Sequence, residues 1–179
     1  MIHRNNLEKK FLKRGFLDFK WISPKNIVVS QWVRIKCMFG CEEYGRTAVC
    51  PPQVPSVSEC RKFFDEFSGA VIFHFEKKVP RPEDRFAWTR KINLKLLKLE
   101  REIFLDGYEK SFLLIMDSCN FCAECSGKQE ICKKPRLARP TPEAMAVDVF
   151  STVRKIGYPI EVLSDYGQTM NRYAFLLIE

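Results

Sequence analysis

The sequence predicts an α/β fold, a single domain in which a mixed sheet is flanked by helices and two cysteine-rich loops leave strand ends. Three observations carry that expectation. Strand-like apolar runs alternate with segments of helical period along the chain. The 179 residues amount to about one domain, and no linker or internal repeat divides them. The eight cysteines fall into two groups, each reached through a strand-like run.

Residues 1–24 read as an amphipathic lead-in with Leu7, Phe11 and Leu12 on one helical face, closing at Ser23-Pro24. The runs 27–29 and 32–35 alternate as half-buried strands do and deliver the chain to Cys37. Residues 56–67 read as a helix. Ser56 stands three positions before Glu59, which is the capping-box pattern, and Gly69 follows the end. The run 70–75 is a buried strand containing His74. Residues 80–82 turn into the longest helix, 83–106, where Trp88, Ile92, Leu96, Leu99 and Ile103 define a buried face. Lys91, Lys95 and Lys98 share a different face, an ordinary solvated surface that would also suit an acidic partner. Gly107 stops this helix and 112–116 is the next strand. Thr141 as N-cap and Pro142 in the first turn open a helix through about 156, ended by Gly157. The closing strands are 159–163 and 173–178.

The cysteines carry the chemistry. The second group reads Cys119-Asn-Phe-Cys122-Ala-Glu-Cys125, then Cys132-Lys-Lys-Pro135. Thiolates packed this densely need a common partner. Two short gaps, a fourth cysteine and a nearby proline match the bacterial ferredoxin run, so three corners of an iron–sulfur cube can be held with the fourth supplied by Cys132. The first group reads Cys37-Met-Phe-Gly-Cys41, then Cys50-Pro51-Pro52. It offers three ligands. Cys60 is the cysteine left over; it falls in the first turns of a helix, as a fourth ligand aimed back at the loop or as a small core residue. A three-cysteine site would leave one iron open, and crossed ligation through Cys132 is the other arrangement.

Zinc is the alternative for both groups, but structural Cys₄ zinc sites usually pair two well-separated Cys-x2-Cys knuckles, and the second group does not. The two histidines are His3 and His74. His74 lies in an apolar strand and reads as a satisfied core residue. The formal charge of +8 invites a nucleic-acid partner. Two four-iron cores with their thiolates would lower it to roughly +4. Arg34, Lys36, Arg46, Lys128, Lys133, Lys134 and Arg136 would offset cluster charge, so nucleic acid is not the expected partner. No apolar run approaches the ~20 residues that cross a bilayer, and the N-terminus lacks the apolar core of a signal peptide. The expectation is no membrane insertion and a cytoplasmic location, where thiols stay reduced and a disulfide framework is disfavoured. There is no Gly-x-Gly-x-x-Gly loop, phosphate-binding Gly-x4-Gly-Lys-Ser/Thr loop or radical-SAM Cys-x3-Cys-x2-Cys spacing.

Both groups together resemble an uncharacterised family of predicted metal-binding proteins, domain of unknown function 2284. The matching residues are Arg34-Ile-Lys-Cys37-Met-Phe-Gly-Cys41, Tyr44-Gly45-Arg46, Cys50-Pro51-Pro52, Cys119, Cys122, Cys125, Cys132, Pro135 and Ala138-Arg139-Pro140. The resemblance runs from about residue 27 to 157. It implies a small cysteine-rich protein common in anaerobic microbes and carrying iron–sulfur clusters, with no established reaction. The family pattern often carries a further cysteine near Met145, where this chain reads Thr141-Pro-Glu-Ala-Met-Ala146. If that cysteine is a ligand elsewhere, this chain uses Cys60 instead or holds an incomplete site.

The expected function is therefore that of a ferredoxin-like carrier or redox subunit with two [4Fe–4S] clusters, serving a redox partner protein, for which an acidic surface would suit the lysine face. A reductase or small-molecule-activating enzyme with an open-site cluster at Cys37, Cys41 and Cys50 is one alternative. A zinc-stabilised nucleic-acid module is the other.

Overall fold

In the computed structural model, which describes residues 2–165 and 167–179, four strands form one sheet. They are β1 (Phe19–Ile22), β2 (Gly69–Lys77), β3 (Phe112–Leu114) and β4 (Met170–Ile178), in the order β1-β2-β4-β3. Every pairing is antiparallel. The expected α and β elements are present, but the sheet has no parallel neighbours. β2 and β3 do run in the same direction, joined by the crossover helix α4 (Asp84–Leu105), and β4 inserts between them. This split βαβ unit satisfies the alternation of strands and helices without parallel pairing.

The period of two in each strand divides the core into two layers. Val71, Phe73, Ala174, Leu176 and Ile178 face one side, with Leu7 and Phe11 of α1 (Arg4–Lys13) and Leu96, Leu99 and Ile103 of α4. Ala70, Ile72, Phe175 and Leu177 face the other, with Phe64 of α3 (Val57–Asp65) and Val149 and Val153 of α5 (Val149–Lys155). Because helices cover both faces, β2 and β4 read as continuous apolar runs in the sequence. The capping box of α3 is formed: Ser56 Oγ accepts the Glu59 N–H, and the Glu59 carboxylate accepts the Ser56 N–H at 2.8 Å. Gly107, with φ +97°, ends α4, and Gly157, with φ +71°, follows α5; both are left-handed positions that favour glycine.

α4 also closes an edge. β3 is the outer strand, and its unpaired backbone groups would lack partners beneath a helix. Asn93 on α4 bonds both ways with Met116, donating to its carbonyl at 3.0 Å and accepting its N–H at 3.1 Å. Glu100, one further step along the same face, accepts the Leu113 N–H at 2.8 Å. Glu100 also holds Arg139 in a two-point ion pair, both bonds 2.9 Å. The polar side chains on the buried face of α4 thus fix the run that leads into the second cysteine group. Lys91, Lys95 and Lys98 are exposed, as their spacing predicts.

Several local expectations are corrected. The run 32–35 is not a strand but part of α2 (Gln31–Gly40), in which Val33 is the buried side chain. Four alternating residues cannot separate a strand from a helix that buries one side chain. Of the run 27–29, Val29 makes an isolated bridge to Val147. The lead-in contains β1, which the helical pattern of its first half concealed. Thr141 does cap a turn, accepting the Ala144 N–H at 3.1 Å. That turn ends at Ala146, with φ +59°, and α5 starts afresh with Asp148 as its cap. Residues 159–163 form no strand. His74 is satisfied as expected: Nδ1 meets Asp18 at 2.6 Å, Nε2 meets Asn171 at 2.7 Å, and Tyr173 stacks on the ring. Among the described residues, no helix is long and apolar enough to cross a membrane.

Candidate metal centre

Both cysteine groups gather where β2 and β3 end and β4 begins. Lys77 pairs with Met170 and Leu114 with Phe175, so the loop after β3 and the first residues of β4 emerge together. All eight cysteines are free thiols.

Cys119, Cys122, Cys125 and Cys132 line one small cavity of about 20 Å³, walled also by Ala48, Val49, Phe121 and Lys134. The loop that carries them is held by its own backbone. The Cys132 N–H donates to Gln129, and those of Leu137 and Ala138 donate to Lys134. Two cations tie it down, Lys134 Nζ from within the loop and Arg90 Nη2 from α4, donating to the Phe121 carbonyl at 2.7 and 3.4 Å. The Ala48 N–H points at Cys125 Sγ, 3.4 Å away. Burial pushes the Cys119 thiol up, opposed by the Phe121 and Arg139 N–H groups, while Cys125 and Cys132 add to the rise. N–H groups aimed at sulfur are the kind of contact that sets the potential of a thiolate-bound cluster.

Cys37, Cys41 and Cys50 line a different and far larger cavity of about 640 Å³. Cys37 is in the last turn of α2, Cys41 caps that helix, and Cys50 comes from the following loop. The same cavity is lined by Asp117, Glu143 and Arg172, and Glu143 also borders an adjoining groove with Cys37 and Cys41. Asp117 takes a left-handed backbone, φ +58°, directly after the β3 segment. Arg172 Nε donates to it at 3.1 Å and Arg85 Nε lies 4.0 Å away, while its second oxygen is buried without a partner. Burial raises the Cys37 thiol, with Cys41 and Glu143 adding and Arg34 opposing. Burial pushes Cys50 up to about 11 against the Thr47 hydroxyl, with Cys41, Glu43 and Cys37 adding. These thiols are therefore protonated at neutral pH on their own, and a bound metal must displace the protons. Glu143 is solvent-exposed along the cavity; the protein packed around its carboxyl raises it, opposed by its own backbone and Thr141, with Asp117 adding.

Cys60 stands apart from these seven. It is fully buried in α3, packed in the core with Phe64 and Ile72, and its thiol donates to the Pro55 carbonyl at 3.5 Å. Of the basic residues near the cysteines, Lys133 and Lys134 reach the second cavity. Arg34 instead bonds carbonyls, those of Pro55 at 3.1 Å and Ala144 at 3.0 Å. Among the described residues, no three Cys, His, Asp or Glu side chains converge on a single-ion site; the thiols line cavity walls.

The donor set fits an iron–sulfur group. Four thiols share one cavity in the second group. In the first, the buried Thr47 hydroxyl next to Cys50 has no partner and is free to donate to a thiolate. Sequence reasoning missed Asp117 and Glu143. The signal available was a carboxylate two residues before Cys119 and another interrupting the apolar stretch from Pro142 to Val147.

No curated protein and no solved structure matches the chain. The family model described as predicted metal-binding protein, domain of unknown function 2284, matches residues 20–178. The span takes in both cysteine groups and the sheet from Lys20 onward, and the chain belongs to this family of predicted metal-binding proteins.

Proposed function

We propose that this protein binds two [4Fe–4S] clusters and relays electrons to or within a redox partner. Cys119, Cys122, Cys125 and Cys132 hold one cluster, and Cys37, Cys41 and Cys50 hold the other. A bound cluster supplies one-electron transfer. The chain's own part is to supply thiolates, to direct N–H groups at sulfur and to exclude water from the second site.

The observation that carries this reading is the contiguity of the two cavities. Ala48 and Val49 line the second, and the next residue, Cys50, lines the first. Neighbouring Cα atoms are ~3.8 Å apart, so a single backbone step separates the two walls. Two redox groups placed this way form a short relay. Anaerobic purification followed by iron and sulfide analysis tests it, with about eight of each expected per chain. A colourless protein with stoichiometric zinc and no iron would overturn it.

A second reading is favoured by the breadth of the first cavity, which falls in the ~300–1,000 Å³ range of small-molecule sites. Here the first cluster would keep an open iron and activate a small substrate. Cyanide added to the reduced protein would then change the EPR signal of that cluster alone. Unchanged spectra at saturating cyanide would eliminate this reading.

A further inference from the structure

We infer that the Glu143 carboxylate is the fourth ligand of the first cysteine site, completing Cys37, Cys41 and Cys50. The inference rests on the cluster reading above and assigns the corner that three cysteines leave unfilled.

Cys60 is badly placed for that corner. It is fully buried, its sulfur stands beside Arg34 and is engaged with the Pro55 carbonyl, and it does not line the cavity that the other three share. Glu143 lines that cavity. It also borders the adjoining groove, where Cys37 and Cys41 are again its neighbours, so it stands beside those two cysteines from both directions. The other carboxylates of the cavity are less suited. Asp117 gives one oxygen to Arg172 and keeps the other buried and unpartnered, but it does not border the groove where Cys37 and Cys41 meet Glu143. Glu161 borders a separate groove with Val162 and Leu163. Glu42 and Glu43 do not reach the groove that Cys37 and Cys41 share with Glu143. Among the described residues, Glu143 forms no ion pair.

The position of Glu143 is also built. Its turn is closed by hydrogen bonds from Met145 to Thr141, Ala146 to Glu143 and Val147 to Pro142. Arg34, one helical turn before Cys37, reaches across and donates to the Ala144 carbonyl and to the Pro55 carbonyl beyond Cys50. One guanidinium thus clamps the helix that ends in Cys37, the segment that follows Cys50 and the turn that presents Glu143. A carboxylate carries the same single charge as a thiolate and binds iron through oxygen, so it completes the site without changing its charge.

The test compares anaerobically reconstituted full-length proteins by iron and sulfide content and by EPR: the parent, Glu143→Gln, Glu143→Cys, Cys60→Ser and the double variant Glu42→Gln with Glu43→Gln. Glu143→Gln is expected to lose about one iron per chain and to show a three-iron spin signal when oxidised. Glu143→Cys should restore the four-iron content with an altered spectrum, which separates a lost ligand from a misfolded site. Cys60→Ser and the double variant should match the parent. Full iron and unchanged spectra in Glu143→Gln, or loss of one cluster in Cys60→Ser, would overturn the assignment. A parent protein with iron at the second group alone would overturn the cluster reading of the first group, and this inference with it.

Discussion

Cys119, Cys122, Cys125 and Cys132 reach their cavity from a single loop, whereas the cavity of Cys37, Cys41 and Cys50 is completed by residues far away in the sequence, Asp117, Glu143 and Arg172. The second cavity, about 20 Å³, is lined also by Ala48 and Val49; the first, about 640 Å³, is broad and is lined also by carboxylates and arginines. A site encoded in one loop depends on its anchor points. A site assembled from distant segments depends on the contacts that clamp them. The second group accordingly hangs on the edge of β3 and on Phe121, and the first on Arg34 and the turn at Glu143.

The largest effect is expected from Cys125→Ser. It removes a corner of the second site and the sulfur to which Ala48 donates. The expected result is loss of the second cluster, about half the total iron, with the first cluster's EPR signal kept. Loss of both signals would show that the two sites do not load independently and would break the contrast drawn between them.

Glu100→Ala comes next. It leaves Arg139 without its partner and the Leu113 N–H without an acceptor at the strand that leads to Cys119. Removing one member of a buried pair costs about 3–5 kcal/mol. Urea unfolding of the apo variant should show a loss of at least ~3 kcal/mol, and reconstitution should fall short at the second site first. A variant as stable as the parent would refute the role given to α4.

Arg34→Met is the smaller and more selective change. It keeps much of the side chain's bulk but removes the bonds to Pro55 and Ala144. Charge-assisted bonds of this kind contribute ~1.5–3 kcal/mol each. The expected outcome is a first cluster that loads incompletely or bleaches faster in air, followed by absorbance, with the second cluster unaffected. Equal loss from both sites would mean that Arg34 supports the fold at large and not the first group in particular.

The sequence by itself determined the long amphipathic helix, the capping box at Ser56 and the central strands, because each is dictated by local periodicity or by a side chain bonding to its own backbone three residues away. It also gathered the second cysteine group, since residues 119–132 have few ways to spread. Tertiary structure decided the rest. Residues 32–35 became helix, with Val33 buried and Arg34 bonding carbonyls across the fold. Asn93 and Glu100 became edge partners of β3, which no periodicity reveals. Cys60 was enclosed among apolar side chains while Glu143, over 80 residues farther on, was carried to the wall beside Cys37. A ligand set that closes over such separations is fixed by packing of the sheet and its helices, and spacing in the sequence does not encode it.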